Sequence, residues 1–247
     1  MAAIVEVEKM TIGWGDFILM RELDFRIEEG DIFVILGGSG CGKSTLMRHI
    51  IGLETPKAGR AGIVGHDPTL DAAPPFGVMF QSGALFGSMT LLENVSLPLV
   101  KWTDLDADAV DDIARARLRL VNLDGFENHL PSEISGGMKK RAGIARAMAL
   151  EPRILFLDEP SAGLDPISAV ELDDLILTLN ANLGVTTVLV THELQSIFKI
   201  AQRCIMLDKQ AQGIIADGDP RELRDHSKDL RVHNFFNRQP AATGAET

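Results

Sequence analysis

The sequence predicts an α/β fold: a parallel sheet carrying a phosphate-binding loop, with a block of helices inserted between the two halves of the sheet. Three observations predict it. The apolar run Ile32-Phe33-Val34-Ile35-Leu36 leads into Gly37-Gly38-Ser39-Gly40-Cys41-Gly42-Lys43-Ser44-Thr45, which fits G-x-x-x-x-G-K-[ST], a strand entering an anion-binding turn and then a helix. Segments 91–97, 107–122 and 136–150 follow one another with helical spacing and no strand pattern between them. Strand patterns return at 153–158 and 185–190 with a helix between them.

Taken in order, residues 5–10 and 23–27 alternate in the manner of edge strands, and 31–36 is uniformly apolar, as a strand covered on both faces must be. A helix over 43–51 ends at Gly52. Strands over 61–65 and 76–81 flank the turn-rich stretch 67–75. After the helical block, the strand at 153–158 closes on Asp158-Glu159, and a helix runs from Pro166, favoured at a first helical turn, to about residue 181. The strand 185–190 precedes a helix over 193–201 and a hairpin of 203–207 with 213–216. The small, polar stretch 239–247 is expected to be disordered.

Composition narrows the function. A length of 247 residues with 45% hydrophobic content can bury a substantial core, and the formal net charge of −11 argues against a nucleic-acid partner. The basic triplet Lys139-Lys140-Arg141 reads as a solvated helix face. Cys41 and Cys204 are too few for a disulfide framework and suit a reducing cytoplasm. The uncharged stretches 72–92 and 175–191 are broken by Pro74-Pro75 and Gln81 and by Asn180, Asn182 and Gly184, so neither is expected to span a membrane. Acids near the N-terminus replace the apolar core that a secretory signal needs. A cytoplasmic protein that reaches a membrane only through a partner is expected.

The loop from Gly37 to Thr45 supplies backbone N–H groups to a phosphate chain, reinforced by the positive end of the following helix. Lys43 would reach the β- and γ-phosphates and Ser44 would offer a hydroxyl to Mg²⁺. Asp158 closes a strand where a carboxylate would serve the Mg²⁺ water shell, and its neighbour Glu159 would polarise an attacking water. Gln81, at the end of a strand, could meet Mg²⁺ or sense the γ-phosphate. His192 follows the strand 185–190 and falls on the same carboxyl edge, in reach of the γ-phosphate. Ser135-Gly136-Gly137-Met138 opens a helix with a capping hydroxyl and exposed N–H groups, a second anion site.

In this order and spacing the motifs resemble the ATP-binding cassette (ABC) ATPases over nearly the whole chain. Gly37 to Thr45 resembles Walker A, Gln81 the Q-loop, residues 134–138 the signature, and 154–158 Walker B with Glu159 as the catalytic carboxylate. Ser161-Ala162-Gly163-Leu164-Asp165 resembles the D-loop and His192 the switch histidine. The resemblance implies a P-loop NTPase (RecA-like) core over 1–82 and 151–225. It also implies an antiparallel β subdomain, a helical subdomain over about 83–150 and a C-terminal extension over 226–247.

The resemblance further implies ATP and Mg²⁺ as ligands, Trp14 as an adenine-stacking aromatic or else a packed surface ring, and a head-to-tail homodimer. In that dimer the signature loop completes the facing site, with Ser135 and Gly137 of the partner subunit on the γ-phosphate, and Gly136 and Asp165 count among the nucleotide contacts. Catalysis is assigned to Glu159, His192 and Lys43, nucleotide contacts to the whole loop including Cys41, and metal contacts to Ser44, Gln81 and Asp158.

The usual glutamine after the signature glycines is Met138 here. That methionine, the stretch 80–98 and the tail 229–236 are similar to the ATPases of Mla-type phospholipid transporters. Such a system implies a membrane permease, an MCE-class lipid-binding protein and, in some cases, a small STAS-type regulator. A permease helix is expected in a groove between the helical insert and the core, with Leu85, Phe86 and Met89 either lining it or packed in the core. The ATPase of another transporter, an amino-acid importer or a lipoprotein-release machine, is the alternative. A non-transport cassette protein is disfavoured by the single Walker A and the short insert.

Overall fold

The computed structural model describes residues 2–67, 69–70, 72–81 and 83–239. Strands β1 (Ala3–Trp14) and β2 (Phe17–Glu28) form a long antiparallel hairpin, and β4 (Ala58–Ile63) pairs with the other side of β1. Both expected strands, 5–10 and 23–27, are longer than expected; the second lies at a sheet edge as expected, whereas the first is corrected, since β1 is the central strand of a three-stranded sheet. Register shifts lie between Val7 and Met10, and Lys9 and Glu22 have positive φ. Such bulges break the two-residue alternation by which a strand is read from sequence. The expected strand 61–65 begins three residues earlier, in the Gly- and Arg-containing run that pairs across this irregular part of β1.

The main sheet has the order β5-β6-β7-β3-β8-β9, from β3 (Ile32–Gly37), β5 (Phe76–Met79), β6 (Ile154–Asp158), β7 (Thr186–Val190), β8 (Arg203–Asp208) and β9 (Gly213–Gly218). All neighbours are parallel except β9, which turns back against β8. Alternate residues of the apolar strands enter different cores. Phe33, Ile35, Ile154, Phe156, Val188 and Val190 face the three-stranded sheet, whereas Ile32, Val34, Leu36, Leu155, Leu157 and Leu189 face the helices. Burial on both faces is why these strands read as unbroken apolar runs.

Between β5 and β6 lie α2 (Leu91–Trp102), α3 (Ala107–Leu120) and α4 (Gly136–Ala147). The expected end of α2 before Pro98 is overturned. Leu91, Val95 and Leu99 repeat at helical spacing and are all buried. At about 1.5–3 kcal/mol for each buried side chain, they outweigh the roughly 3 kcal/mol of an interior proline. Helix α1 (Lys43–Ile50) follows the glycine loop, and α5 (Pro166–Leu183) runs slightly past its expected end to Gly184, which is left-handed at the cap. Helix α6 (Leu194–Ile200) follows β7.

Two C-terminal helices had no sequence expectation: α7 (Pro220–His226) and α8 (Leu230–Phe236), capped by Asp219 and Asp229. Val232 and Phe236 are buried in the helix-side core, with the Phe236 ring 5.6 Å from Phe198 of α6. Of the stretch expected to be disordered, residues 240–247 lie outside the described ones. Gln239 N donates to the Asn234 carbonyl at 2.9 Å.

No helix among the described residues is long and apolar enough to cross a membrane. Both cysteines are buried and free. Burial raises the Cys41 thiol and pushes Cys204 up to about 12. The native protein at pH 8 is therefore expected to take up no maleimide while the denatured chain takes up two equivalents; rapid native labelling of either thiol would contradict this packing.

Candidate active site at the carboxyl edge of the sheet

Because β3, β5, β6 and β7 are parallel, their carboxyl ends gather Gly37, Gln81, Asp158 and His192 along one edge, the place where open α/β sheets bind ligands. A cleft of about 540 Å³ opens there, lined by Gly37 through Thr45 apart from Cys41, and by Gln81, Glu159, His192 and Phe235.

The loop has little freedom to be other than glycine at two points. Gly37 has φ +145, and a Cβ there would lie 2.5 Å from the Leu207 carbonyl oxygen. Gly42 has φ +101 and supports Leu19 of β2, whose Cδ2 would be 2.8 Å from a Cβ. No side chain caps α1 at Gly42, so its first-turn N–H groups remain donors toward the cleft. Lys43 Nζ donates to the carbonyls of Gly37 at 2.9 Å and Gly38 at 3.2 Å, which centres the ammonium over the cradle.

Ser44 Oγ donates to Asp158 Oδ1 at 2.9 Å, joining the start of α1 to the end of β6. Two oxygen donors beside a phosphate cradle suit a hard, largely hydrated cation such as Mg²⁺, which takes few protein ligands. The donor set fits that metal.

Glu159 is buried at a positive φ of 47°, a conformation costing about 1–3 kcal/mol for a residue with a side chain. Its N–H donates to the Val190 carbonyl at 2.8 Å, which pins it to β7. His192 Nδ1 lies 2.9 Å from Glu159 Oε1; since a carboxylate only accepts, the ring N–H donates. Glu159 Oε2 is buried with no partner among the described residues. An orphaned carboxylate oxygen beside a phosphate cradle is a group equipped to accept a proton from a water placed there.

The remaining sequence candidates lie elsewhere. Cys41 is corrected: its thiol points inward against the loop and β8, and its N–H donates to the Gly38 carbonyl at 3.3 Å. Trp14 does not line the phosphate cleft. It is 52% exposed at the tip of the β1–β2 hairpin and stacks on Phe17 with ring centroids 6.4 Å apart. Ser135 caps α4 by accepting from Met138 N at 3.3 Å and, with Gly136, is exposed away from the cleft. A Cβ on Gly137 would meet Ser168 of α5, so this helix start sits against the segment 161–168. Asp165 caps α5, accepting from Ile167 N and Ser168 N at 3.0 Å, and the Ser168 hydroxyl helps hold its carboxyl below the usual range.

Two residues beside the site escaped the sequence reading. Lys140, expected on a solvated face, is 7% exposed and bonds to the backbone at Gln81 and Glu159. Its signal was its place four residues before buried Ile144 on one helical stripe. Phe235 reaches the cleft because its neighbour Phe236 anchors α8; nothing local in the sequence marks it.

An apolar groove of the helical block opens between α2 and α3. Of the three residues expected to line a groove, Met89 lines this one, with Leu92, Leu97, Val100 and Leu105. Leu85 packs against the core, and Phe86 is 57% exposed.

The family model for ABC transporters matches residues 20–162. A probable ribonucleotide transport ATP-binding protein of Mycobacterium leprae is 38% identical over 96% of this chain and 70% of its own length. The intermembrane phospholipid transport system ATP-binding protein MlaF of Haemophilus influenzae is 35% identical over 94% of this chain and 90% of its own. Among solved structures, the ATP-binding cassette MJ0796 as a post-hydrolysis dimer bound to ADP and Pi superposes with a TM-score of 0.77 at 30% identity. The match covers 87% of this chain and 98% of that one.

Proposed function

The chain belongs to the ABC transporter family as an ATP-hydrolysing subunit, and from that premise we propose that it powers phospholipid transport of the Mla type by closing as a homodimer on ATP. The observation that carries hydrolysis is Glu159: strained, tied to His192 by one oxygen, and with the other oxygen buried and free beside the cradle. In this reading Lys43 and the N–H groups of the loop hold the β- and γ-phosphates. Ser44, Asp158 and Gln81 would hold Mg²⁺, which would supply positive charge against the phosphates. Glu159 takes the proton of the attacking water, and His192 orients Glu159 and meets the γ-phosphate.

The exposed start of α4 lies outside its own cleft, which supports the head-to-tail arrangement in which Ser135 and Gly137 of the partner subunit close over the γ-phosphate. Asp165 then lies at the same interface by holding the start of α5. The dimeric state of the cassette structure at 30% identity supports this too. Trp14 and Phe17 form an exposed aromatic pair on the hairpin whose Leu19 covers Gly42, a position suited to stacking on adenine.

Lipid as cargo is supported by the MlaF relative, whose match spans nearly all of both chains. A ribonucleotide cargo, suggested by the name of the Mycobacterium relative, has the higher identity but leaves more of that protein unmatched. The groove between α2 and α3 would seat a short helix of a membrane permease, with an MCE-class protein and a STAS-type regulator as further partners. Purifying the chain from membranes with its permease and identifying co-purified small molecules by mass spectrometry tests the cargo. Enriched phospholipid is expected; enriched nucleotide precursors without lipid would overturn the lipid reading.

Met138 packs its side chain partly against the core while its N–H donates to Ser135, so the signature contact does not require an amide at this position. Met138→Gln is expected to leave ATPase activity within about tenfold, roughly 1.4 kcal/mol of barrier, in a steady-state phosphate-release assay. A larger loss would contradict that role for Ser135.

A further inference from the structure

Lys140 is a buried cation that no carboxylate hydrogen-bonds among the described residues. Its ammonium donates instead to the main-chain carbonyls of Gln81 and, at 3.3 Å, of Glu159. Burial lowers its proton affinity, while the nearby charges of Asp158 and Glu159 favour the protonated form. The two acceptors follow β5 and end β6, which are neighbours in the sheet, and both belong to residues whose side chains line the cleft. On the same helix Arg146 donates to the carbonyls of Ala84 at 2.7 Å and Gly83 at 3.1 Å. Helix α4 therefore grips the segment after β5 at two places, and at one of them also holds the backbone of Glu159.

We propose that Lys140 is a positioning residue that ties the signature helix α4 to the backbone of Gln81 and Glu159, so that movement of α4 is felt by the carboxylate that takes the proton. The proposal rests on Glu159 acting as the base. Glu159 holds a left-handed conformation that must be enforced from outside. The Val190 carbonyl fixes its N–H side and Lys140 fixes its carbonyl side. A long cationic side chain suits the task because it presents several donors at one point to two separate strand ends.

The test compares Lys140→Met, which keeps length without a donor, with Lys140→Arg, which keeps donors for both carbonyls, in the full chain. Lys140→Met is expected to lower kcat about tenfold or more while the affinity for a fluorescent ATP analogue stays within about threefold; Lys140→Arg is expected to recover most of the rate. Should Lys140→Met fail to fold, Lys140→Gln, with a donor for one carbonyl, is expected to show the same split between rate and affinity. Equal losses in rate and affinity, no loss in the donor-free variant, or no recovery with arginine would overturn the proposal. Failure of the underlying reading shows separately, as undiminished hydrolysis in Glu159→Gln with Lys140 intact.

Discussion

Glu159→Gln is expected to bind ATP as tightly as the parent chain and to hydrolyse it about 10²- to 10⁴-fold more slowly, the range over which a positioned base accelerates proton transfer. The substitution conserves shape. The glutamine carbonyl can still accept the His192 N–H that Glu159 Oε1 receives at 2.9 Å, and the backbone bond to Val190 is untouched. What disappears is the unpartnered Oε2, replaced by an amide that cannot take a proton. Equilibrium binding with a fluorescent ATP analogue and single-turnover hydrolysis separate the two effects. A rate within a few-fold of the parent would remove Glu159 from the mechanism.

Lys43→Ala is expected to weaken ATP binding about tenfold to a hundredfold, since a charge-assisted contact is worth about 1.5–3 kcal/mol. In the cradle the ammonium is already centred by the Gly37 and Gly38 carbonyls, so little side-chain freedom remains to be lost on meeting phosphate. The fold should tolerate the change, because the side chain is not part of either core. Isothermal calorimetry of the ATP titration, with the melting temperature as control, checks this. Unchanged affinity would mean that the cradle binds through its backbone alone.

The site could be read from the sequence where its geometry is local or follows from parallel strands. The glycine loop is contiguous, and the run 32–36 announces a strand buried on both faces. Once β3, β6 and β7 are parallel, Gly37, Asp158 and His192 must share an edge. Long-range packing left fainter traces or none. Lys140 was hidden in a basic triplet, its buried stripe visible only once α4 docks on the ends of β5 and β6. Cys41 looks like any loop residue until β8 places Leu207 behind Gly37. Helix α8 is short, and it is stable because Val232 and Phe236 find the core and Phe198, partners distant in sequence. Bulges at Lys9 and Glu22 break the strand alternation, and in α2 the burial of Leu91, Val95 and Leu99 overrides the rule against an interior proline.

If the Gly37–Thr45 loop of one copy is completed by Ser135 of another, two inactive variants must restore each other when mixed. Lys43→Ala disables the loop, and Ser135→Arg disables the signature start. Each alone is expected to be nearly inactive. If the site forms between copies, a mixed dimer holds one intact pair. An equimolar mixture should then recover about a quarter of the parental ATPase rate, because half of random dimers are mixed and each retains one of its two sites. A mixture no more active than the sum of its parts, or a Ser135→Arg variant as active as the parent, would contradict completion of the site between copies.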